Sequence, residues 1–476
     1  MKEAQAVAEG IGSYDLVVLG GGSGGYACAL RAAELGKRVA LIEKDKVGGT
    51  CLHRGCIPTK ALLHAAEIAD QAKESAKFGI KTTFEGVQMP GVLSYQESVV
   101  DRLWKGLQST IASRKIDTVI GDGRLVSPTS VRVNDAVYEA GHVVLATGSE
   151  PRSLPGLDID GTRVITSDDA LRLDRVPSSV IVLGGGVIGV EFASVWRSFG
   201  ADVTIVELLP QLLPLEDESS AKALQRMFRR RGISFQLNTA FESVKHSDAG
   251  VTVTLAGGKT LEAELLLVAV GRAPVSSGFG YEENGVAVDR GFVVVDDLCR
   301  TNVPTISAVG DLVTMPGLGH PQLAHVGFAE GILVAERVSG LDVHPIDYAG
   351  VPRITYSDPE VASVGLTSAQ IAERGLEAVE VKYPLGGNGR SVILQTQGSA
   401  KVFAEAGSNG SGPGRVLGVH LVGSRVGELI AEGQLIYNWD AEPSDVAQLI
   451  HPHPTQSEII GEAHLALAGK PLHFHA

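Results

Sequence analysis

Two cysteines separated by four residues, Cys51 and Cys56, stand in the segment GGTCLHRGCIPTK at 48–60. Two thiols so placed can cycle between dithiol and disulfide, provided the backbone lets the sulfurs meet. A regular helix would not: five residues advance the chain ~7.5 Å and turn it about 140°, leaving the Cα atoms ~8.6 Å apart, beyond the ~7 Å that a disulfide spans. If the pair bonds, the segment is a distorted turn. Gly48, Gly49 and Gly55 supply the freedom for one, and Pro58 cannot donate to the carbonyl of Arg54. Cys28 and Cys299 lie among apolar residues and read as buried thiols. The same reading stays open for Cys51 and Cys56, but a dithiol beside a nucleotide site in a chain with only four cysteines points to redox chemistry. The thiolate is the reactive form, and an ordinary thiol is mostly protonated near neutral pH, so that chemistry needs a base. The segment HPHPTQSE at 451–458 offers one. Pro452 and Pro454 make it an extended loop, with His453 as candidate base and Glu458 as the carboxylate that orients it. A structural pair is the alternative. A metal site at His451 and His453 finds no further ligand spacing, and no metal is expected.

These groups need a scaffold, and two matching segments describe it. In YDLVVLGGGSGGYACALRAAELGKRVALIEK at 14–44, Asp15–Leu19 reads as a buried strand, Gly20, Gly22 and Gly25 as G-x-G-x-x-G, 26–35 as a helix and 38–42 as a second strand, ending in Glu43. Gly20 permits a tight turn, Gly22 lets backbone approach a pyrophosphate, and Gly25 lets helix pack on strand. The helix N-terminus then faces the phosphates with unpaired N–H groups, and Glu43 can accept from a ribose diol. The pattern returns 164 positions on, as Gly184, Gly186, Gly189 and Glu207. Two complete units imply two dinucleotides, and hence electrons passed between cofactors. Glu207 suits a 2′-hydroxyl and repels a 2′-phosphate, and Leu208–Gln211 offer no cation, so NAD is favoured over NADP. The run Arg229–Arg231 ends a helix expected at about 218–231 and reads as a solvated helix end, with a phosphate contact as the alternative.

The 476 residues correspond to about three domains. Glycine, at 58 residues, exceeds the usual ~7% without any G-X-Y period, a mark of close backbone approaches rather than of a fibre. A net charge of −14 argues against a nucleic-acid partner. No apolar run reaches ~18 residues, so no membrane span is expected, and the start MKEAQAVAEGIGS lacks the apolar stretch of a secretion signal. A cytoplasmic location is the expectation. Pro151, Pro155 and Gly156 mark one boundary and Gly271–Pro274 another; AEAGSNGSGP at 404–413 reads as a hairpin loop; and the chain from about 350 reads as a further domain without a fingerprint.

Together these motifs resemble the pyridine nucleotide–disulfide oxidoreductases with paired cysteines, over almost the whole chain. The resemblance rests on GGTCLHRGCIPTK, both fingerprints, ATGSEPR at 146–152, VGD at 309–311, LAH at 323–325, YSDPEVASVG at 356–365 and HPHPTQSE. The CIPTK form and the H-x-HPT-x-SE tail are more similar to the lipoamide branch than to glutathione or mercuric reductases. The implied fold is α/β: two Rossmann-like dinucleotide-binding domains, for FAD and NAD, plus a C-terminal α+β dimerisation domain. The implied layout is a FAD domain at 1–152 and 276–348, an NAD domain at 153–275 and the dimerisation domain at 349–476. Asp311 would hold the flavin ribitol, Lys60 and Glu191 would pair near flavin and nicotinamide, and Thr50, Thr147, Gly148, Gly271, Arg272 and Ala324 would line the cofactor sites. Cys51 would meet the substrate and Cys56 the flavin, while His453 and Glu458 would serve the cysteines of the other subunit of a homodimer. The implied activity is oxidation of a protein-bound dihydrolipoyl group, presented by a lipoyl domain of a 2-oxo acid dehydrogenase or related complex, with reduction of NAD. The alternatives are an NAD(P)H-dependent reductase of another disulfide or a quinone, and a non-catalytic FAD- and NAD-binding subunit. Departures from the family pattern fall at His53, Arg54, Val275, Gly327, Pro452 and Gln456. None removes a reacting group, and His53 leaves room for a modified substrate entrance.

Overall fold

The apolar run near the N-terminus forms a strand, Ser13–Leu19, in which Leu16, Val17, Val18 and Leu19 are at most 3% exposed. Burying each such side chain contributes about 1.5–3 kcal/mol, which is why so short a run anchors the centre of a sheet. The computed structural model describes residues 13–247, 250–317, 319–407 and 412–474. The stretch read for a secretion signal therefore lies outside the described residues up to position 12, as do positions 408–411 of the glycine/serine loop. The chain divides into two compact units, Met1–Ala61 with Leu93–Arg152 and Arg272–Tyr348, and Leu62–Val92 with Ser153–Gly271 and Ala349–Ala476.

In the first unit, Ser13–Leu19 lies parallel to Val39–Glu43 on one side and to Ala136–Leu145 on the other. Asp117–Ile120 extends the sheet beyond Val39–Glu43, and Ile306–Ala308 joins Ala136–Leu145 in parallel. The other end is an antiparallel meander of Gly123–Ser127, Ser130–Val133 and the first half of Ala136–Leu145. The fingerprint helix Ser23–Glu34 and the helix Ala324–Val338 pack against each other. Cys28 and Cys299 are fully buried in one apolar cluster, and burial pushes the Cys28 thiol up to about 12.

In the second unit, five parallel strands run in the order Ser234–Gln236, Asp202–Val206, Ser179–Leu183, Leu265–Val268 and Val164–Ile165. A three-stranded antiparallel sheet, 241–263, is inserted before Leu265. The C-terminal portion is an antiparallel sheet ordered Arg353–Thr355, Glu360–Gly365, Val416–Gly423, Ser399–Glu405 and Ala378–Pro384. The expected hairpin is thus the pair Ser399–Glu405 and Val416–Gly423. The α/β class with two dinucleotide-type parallel sheets and a further α+β portion is as anticipated. No helix among the described residues is long and apolar enough to cross a membrane.

The arginine run corrects a sequence expectation in part. The helix forms as Glu218–Arg230, and Arg229 and Arg230 at its end are exposed as expected, whereas Arg231 is drawn into the protein. Arg229 stacks on Phe235, Arg230 hydrogen-bonds Gln397, and Arg231 is held on all sides. The Arg231 guanidinium donates to Asp70 Oδ2 at 3.0 Å, Ser194 Oγ at 2.8 Å, Ser198 Oγ at 2.7 Å and the Asp358 carbonyl at 2.6 Å. Only tertiary folding could supply these partners, 33 to 161 positions away. Arg231→Ala would leave Asp70 with only the Ser198 hydroxyl and the more distant Lys73 ammonium, and is expected to cost about 2–4 kcal/mol in urea unfolding. Arg231→Lys, which cannot fork, should recover only part of that.

Asp217 caps the same helix, accepting from Ser219 N at 3.0 Å, and also accepts from Ser368 N at 3.0 Å. Burial raises its carboxyl pKa, but the bonds from Ser219 and Ser368 outweigh burial and hold it below the usual 3.8. The sign follows: this stabilisation is complete above 3.8 and is lost as pH falls below it. Asp217→Asn should therefore flatten the acid limb of a stability–pH profile, read by thermal denaturation.

Candidate active site

The cysteine segment is a broken helix. Gly48 and Gly49 take positive φ values of 115° and 57° and start a short helix, Gly49–Arg54. At Gly55 the backbone leaves helical geometry, with φ −144° and ψ −112°, and the long helix Cys56–Glu74 begins afresh. Pro58 sits in its first turn, where no N–H is missed. Thr59 closes that turn onto the Gly55 carbonyl through N–H at 3.1 Å and Oγ1 at 2.6 Å. This break does what unbroken helix cannot: the Cys51 and Cys56 thiols come within hydrogen-bonding reach. The hydrogen bond to Cys56, burial and the Cys56 charge all hold the proton on Cys51, against opposing pulls from the Ser23 hydroxyl and the Lys60 ammonium. Burial and both cysteines also push the Tyr26 phenol up to about 12, and its ring tilts against Phe328 at 5.5 Å.

His53 lies in the same short helix as Cys51. Its Nε2 pairs with the Val47 carbonyl at 3.0 Å and its ring meets Trp104 edge-on at 5.8 Å, while Lys46 lies 5.0 Å over the same indole. The departure from the family pattern at His53 thus fastens the loop to the helix Met89–Ser113.

Both fingerprints have the same geometry. Gly20 and Gly184 adopt φ +108° and +110°, conformations that L side chains avoid. A Cβ on Gly25 would stand 1.8 Å from the Gly20 carbonyl oxygen, and one on Gly189 2.0 Å from that of Gly184. Gly22 and Gly186, by contrast, face open space and cap the helices Ser23–Glu34 and Val187–Phe199 in extended backbone. The acids match as well. Glu43 accepts from Gly21 N at 2.7 Å and Asp45 N at 2.9 Å; Glu207 accepts from Gly185 N at 2.6 Å and Leu209 N at 2.7 Å. Each carboxylate keeps acceptor capacity for a ribose. Leu208 and Leu209 beside Glu207 are exposed and carry no cation.

The remaining residues expected at the cofactor sites lie on several elements. In the first unit, Thr50 lies in the helix Gly49–Arg54, and Lys60 in the first turn of Cys56–Glu74. Thr147 Oγ1 donates to the Val275 carbonyl at 2.6 Å and pairs with Tyr281 OH at 3.0 Å, and Gly148 follows at φ +72°. Ser149 Oγ donates to Asp311 Oδ2 at 2.6 Å and accepts from Arg272 Nε at 2.7 Å, which gathers Asp311 and Arg272 at one point. Ala324 opens the helix Ala324–Val338. In the second unit, Glu191 is 2% exposed on Val187–Phe199 and accepts from Tyr356 N at 2.9 Å, and Gly271 takes φ +106°.

The C-terminal loop, also in the second unit, is not helical before Glu458–Leu467, but it bends at 453–457 instead of running extended, and Thr455 Oγ1 turns back onto the Pro452 carbonyl at 2.7 Å. His453 Nδ1 pairs with Glu458 Oε1 at 2.9 Å, and Glu458 Oε2 accepts from Thr455 N at 2.9 Å. Burial raises the Glu458 carboxyl, but His453 and the Thr455 N–H outweigh it and keep it below the usual range. The imidazole remains exposed at the loop tip, 77% by side chain. His451 points elsewhere, to Glu432 Oε1 at 2.8 Å. Among the described residues no group of three or more His, Cys, Asp or Glu could hold a metal ion.

Comparison with known proteins now adds to the geometry. Residues 14–331 match the pyridine nucleotide-disulphide oxidoreductase family, and residues 351–464 match the dimerisation domain of that family. The chain belongs to the pyridine nucleotide–disulphide oxidoreductases. It is 39% identical over 480 residues to a dihydrolipoyl dehydrogenase of Bacillus subtilis, covering 97% of this chain and 99% of that one. It is 38% identical to a leghemoglobin reductase of Glycine max, over 98% of this chain and 90% of that one. Among solved structures, LpdA of Mycobacterium tuberculosis superposes with a TM-score of 0.87 at 28% identity, covering 95% and 99% of the two chains. The HOCl-induced flavoprotein disulfide reductase RclA of Escherichia coli gives 0.83 at 29%, with the same coverage.

In this oxidoreductase the cradles fit two dinucleotides: each has an open Gly face at a helix N-terminus and an anchored acid. Sequence reasoning missed Ser23, Tyr26, Ser149 and Tyr281. The first two stand at or beside variable positions of the fingerprint, the one local signal that could have marked them. The glycine geometry makes a paired prediction. Gly22→Ala should fold with an unchanged melting temperature and bind FAD at least about tenfold more weakly, because its Cβ enters only the open face. Gly25→Ala should fail to yield folded protein, because its Cβ meets backbone. Titration of apoprotein with FAD and thermal denaturation check both.

Proposed function

We propose that this chain oxidises protein-bound dihydrolipoyl groups to lipoyl groups with reduction of NAD. The observation that carries the reading is the Cys51–Cys56 pair, brought together by the break at Gly55 in the loop that follows the first cradle. The 39% identity to a dihydrolipoyl dehydrogenase over nearly the full length supports the substrate. Residues 1–152 and 276–348 form the FAD domain, 153–275 the NAD domain and 349–476 the dimerisation domain of a homodimer. FAD held on Gly20, Gly22, Gly25 and Glu43, with Thr50, Lys60, Thr147, Gly148, Asp311 and Ala324, supplies the two-electron link between reduced thiols and NAD. Gly184, Gly186, Gly189, Glu191 and Glu207, with Gly271 and Arg272, are assigned to the NAD side.

The thiol chemistry belongs to the chain's own residues. His453 takes a proton from one substrate thiol, with Glu458 holding the imidazole in register and offsetting the positive charge it gains. The substrate thiolate attacks Cys51 of the Cys51–Cys56 disulfide; that S–S bond breaks, a mixed disulfide forms, and Cys56 leaves as thiolate. The second substrate thiol then attacks the mixed disulfide, forming the lipoyl S–S bond and releasing Cys51. Substrate loses two electrons and two protons, and the cysteines gain the electrons. Cys51 leaves this step as the sulfur that holds a proton, in keeping with the direction in which its neighbours shift it. His453 and Glu458 serve the cysteines of the other subunit, and a lipoyl domain of a 2-oxo acid dehydrogenase or related complex is the partner that presents the substrate.

Cys56→Ser should abolish turnover of dihydrolipoamide with NAD; full activity would defeat the relay. His453→Ala should slow the dithiol half-reaction roughly 10²- to 10⁴-fold, the usual worth of a general base, read by stopped-flow absorbance of the flavin. Mixed dimers of Cys51→Ser and His453→Ala chains should regain partial activity, and inactivity of both parents and mixture alike would rule out a shared site.

A further inference from the structure

The loop that carries His453 is fastened by a residue 65 positions upstream that no motif marks. Asn388 is 4% exposed, and both ends of its amide are committed. Its Oδ1 accepts from Ser391 N and Ser391 Oγ, each at 2.8 Å, which caps the short helix Gly389–Ile393. Its Nδ2 donates to the Thr455 carbonyl at 2.9 Å. Two donors at one end and a carbonyl at the other fix which end is which, since an amide oxygen accepts and an amide nitrogen donates. Thr455 is also the residue whose N–H binds Glu458 Oε2 at 2.9 Å, and Glu458 Oε1 holds His453 Nδ1 at 2.9 Å. The chain of bonds therefore runs from Asn388 through one residue's carbonyl and amide to the carboxylate and the imidazole. A second tie secures the far side of the loop: Gln456, 7% exposed, donates through Nε2 to the Ser424 carbonyl at 2.9 Å.

We propose that Asn388 is a positioning residue for His453: by holding the Thr455 carbonyl it sets the backbone at Thr455, whose N–H orients Glu458 and, through it, the base. The proposal rests on the reading of His453 as the base of dithiol oxidation. Within its own chain the imidazole is 77% exposed by side chain, so what that chain contributes to its aim is the bond to Glu458 and the groups that hold Glu458. A misaimed base loses rate even when every reacting group is present.

The test uses the FAD-loaded enzyme with Asn388→Ser and Asn388→Asp. Both variants keep an oxygen suited to an N-cap, and both lose the N–H that reaches Thr455. With dihydrolipoamide and NAD, kcat should fall roughly 10- to 100-fold while KM changes little. Reduction of ferricyanide by NADH, which needs no dithiol base, should hold near its wild-type rate, and so should the melting temperature. His453→Ala, run alongside, separates the two readings. If it loses dithiol turnover while both Asn388 variants keep theirs, the positioning role is wrong and the base stands. If His453→Ala itself keeps dithiol turnover, the reading beneath the proposal is wrong. If the Asn388 variants lose dithiol turnover, ferricyanide turnover and melting temperature together, the residue is merely structural and the proposal is overturned.

Discussion

The helix break at Gly55 is the constraint on which the chemistry depends. Side chains five positions apart on a continuous helix point in different directions and lie too far apart along the axis to bond. One residue with φ −144° and ψ −112° removes that separation. The two thiols then interact strongly enough that the proton on Cys51 is held by its neighbour, while Lys60 and Ser23 pull the other way. Two sulfurs that share a proton and a charge form a unit in which one acts as nucleophile or leaving group while the other carries charge. Small changes near such a pair matter, because ~30 mV in a two-electron couple corresponds to ~1.4 kcal/mol.

Around that pair the fold repeats one solution twice. In each fingerprint a carbonyl oxygen of the first glycine lies where a side chain on the third would have to go, at 1.8 Å and 2.0 Å. The close packing of helix on strand leaves the middle glycine facing outward onto open space. The acid at the end of the second strand is then tied by two backbone N–H groups, so it is already oriented. A carboxylate fixed in this way loses little freedom when a ribose arrives, which is the physical meaning of a preformed site.

The local parts of this arrangement were legible in the sequence. Gly20, Gly22, Gly25 and Glu43, and their counterparts Gly184, Gly186, Gly189 and Glu207, sit in strand–turn–helix–strand units close to where hydrophobic periodicity put them. The departure from regular helix at the cysteines follows from Gly55 and Pro58, and the pairing of His453 with Glu458 from a spacing of five residues. The arginine run shows where such reading stops. Arg231 looked solvated because its neighbours in sequence are charged, yet its partners Asp70 and Asp358 come from elements 161 and 127 positions away. His53 likewise has a partner that no local pattern named, the Trp104 ring against which its own ring rests.

The sequence by itself determined the candidate reacting groups and the two cradles, because each is written in residues near one another and enforced by backbone geometry. Tertiary structure alone decided what holds those groups in place: Asn388 on Thr455, Ser149 between Asp311 and Arg272, Thr147 on Tyr281. Such bonds join segments whose meeting is set by the burial of whole faces. Side-chain amides and hydroxyls pair with whatever that burial brings within about 3 Å, and no local pattern names the partner in advance.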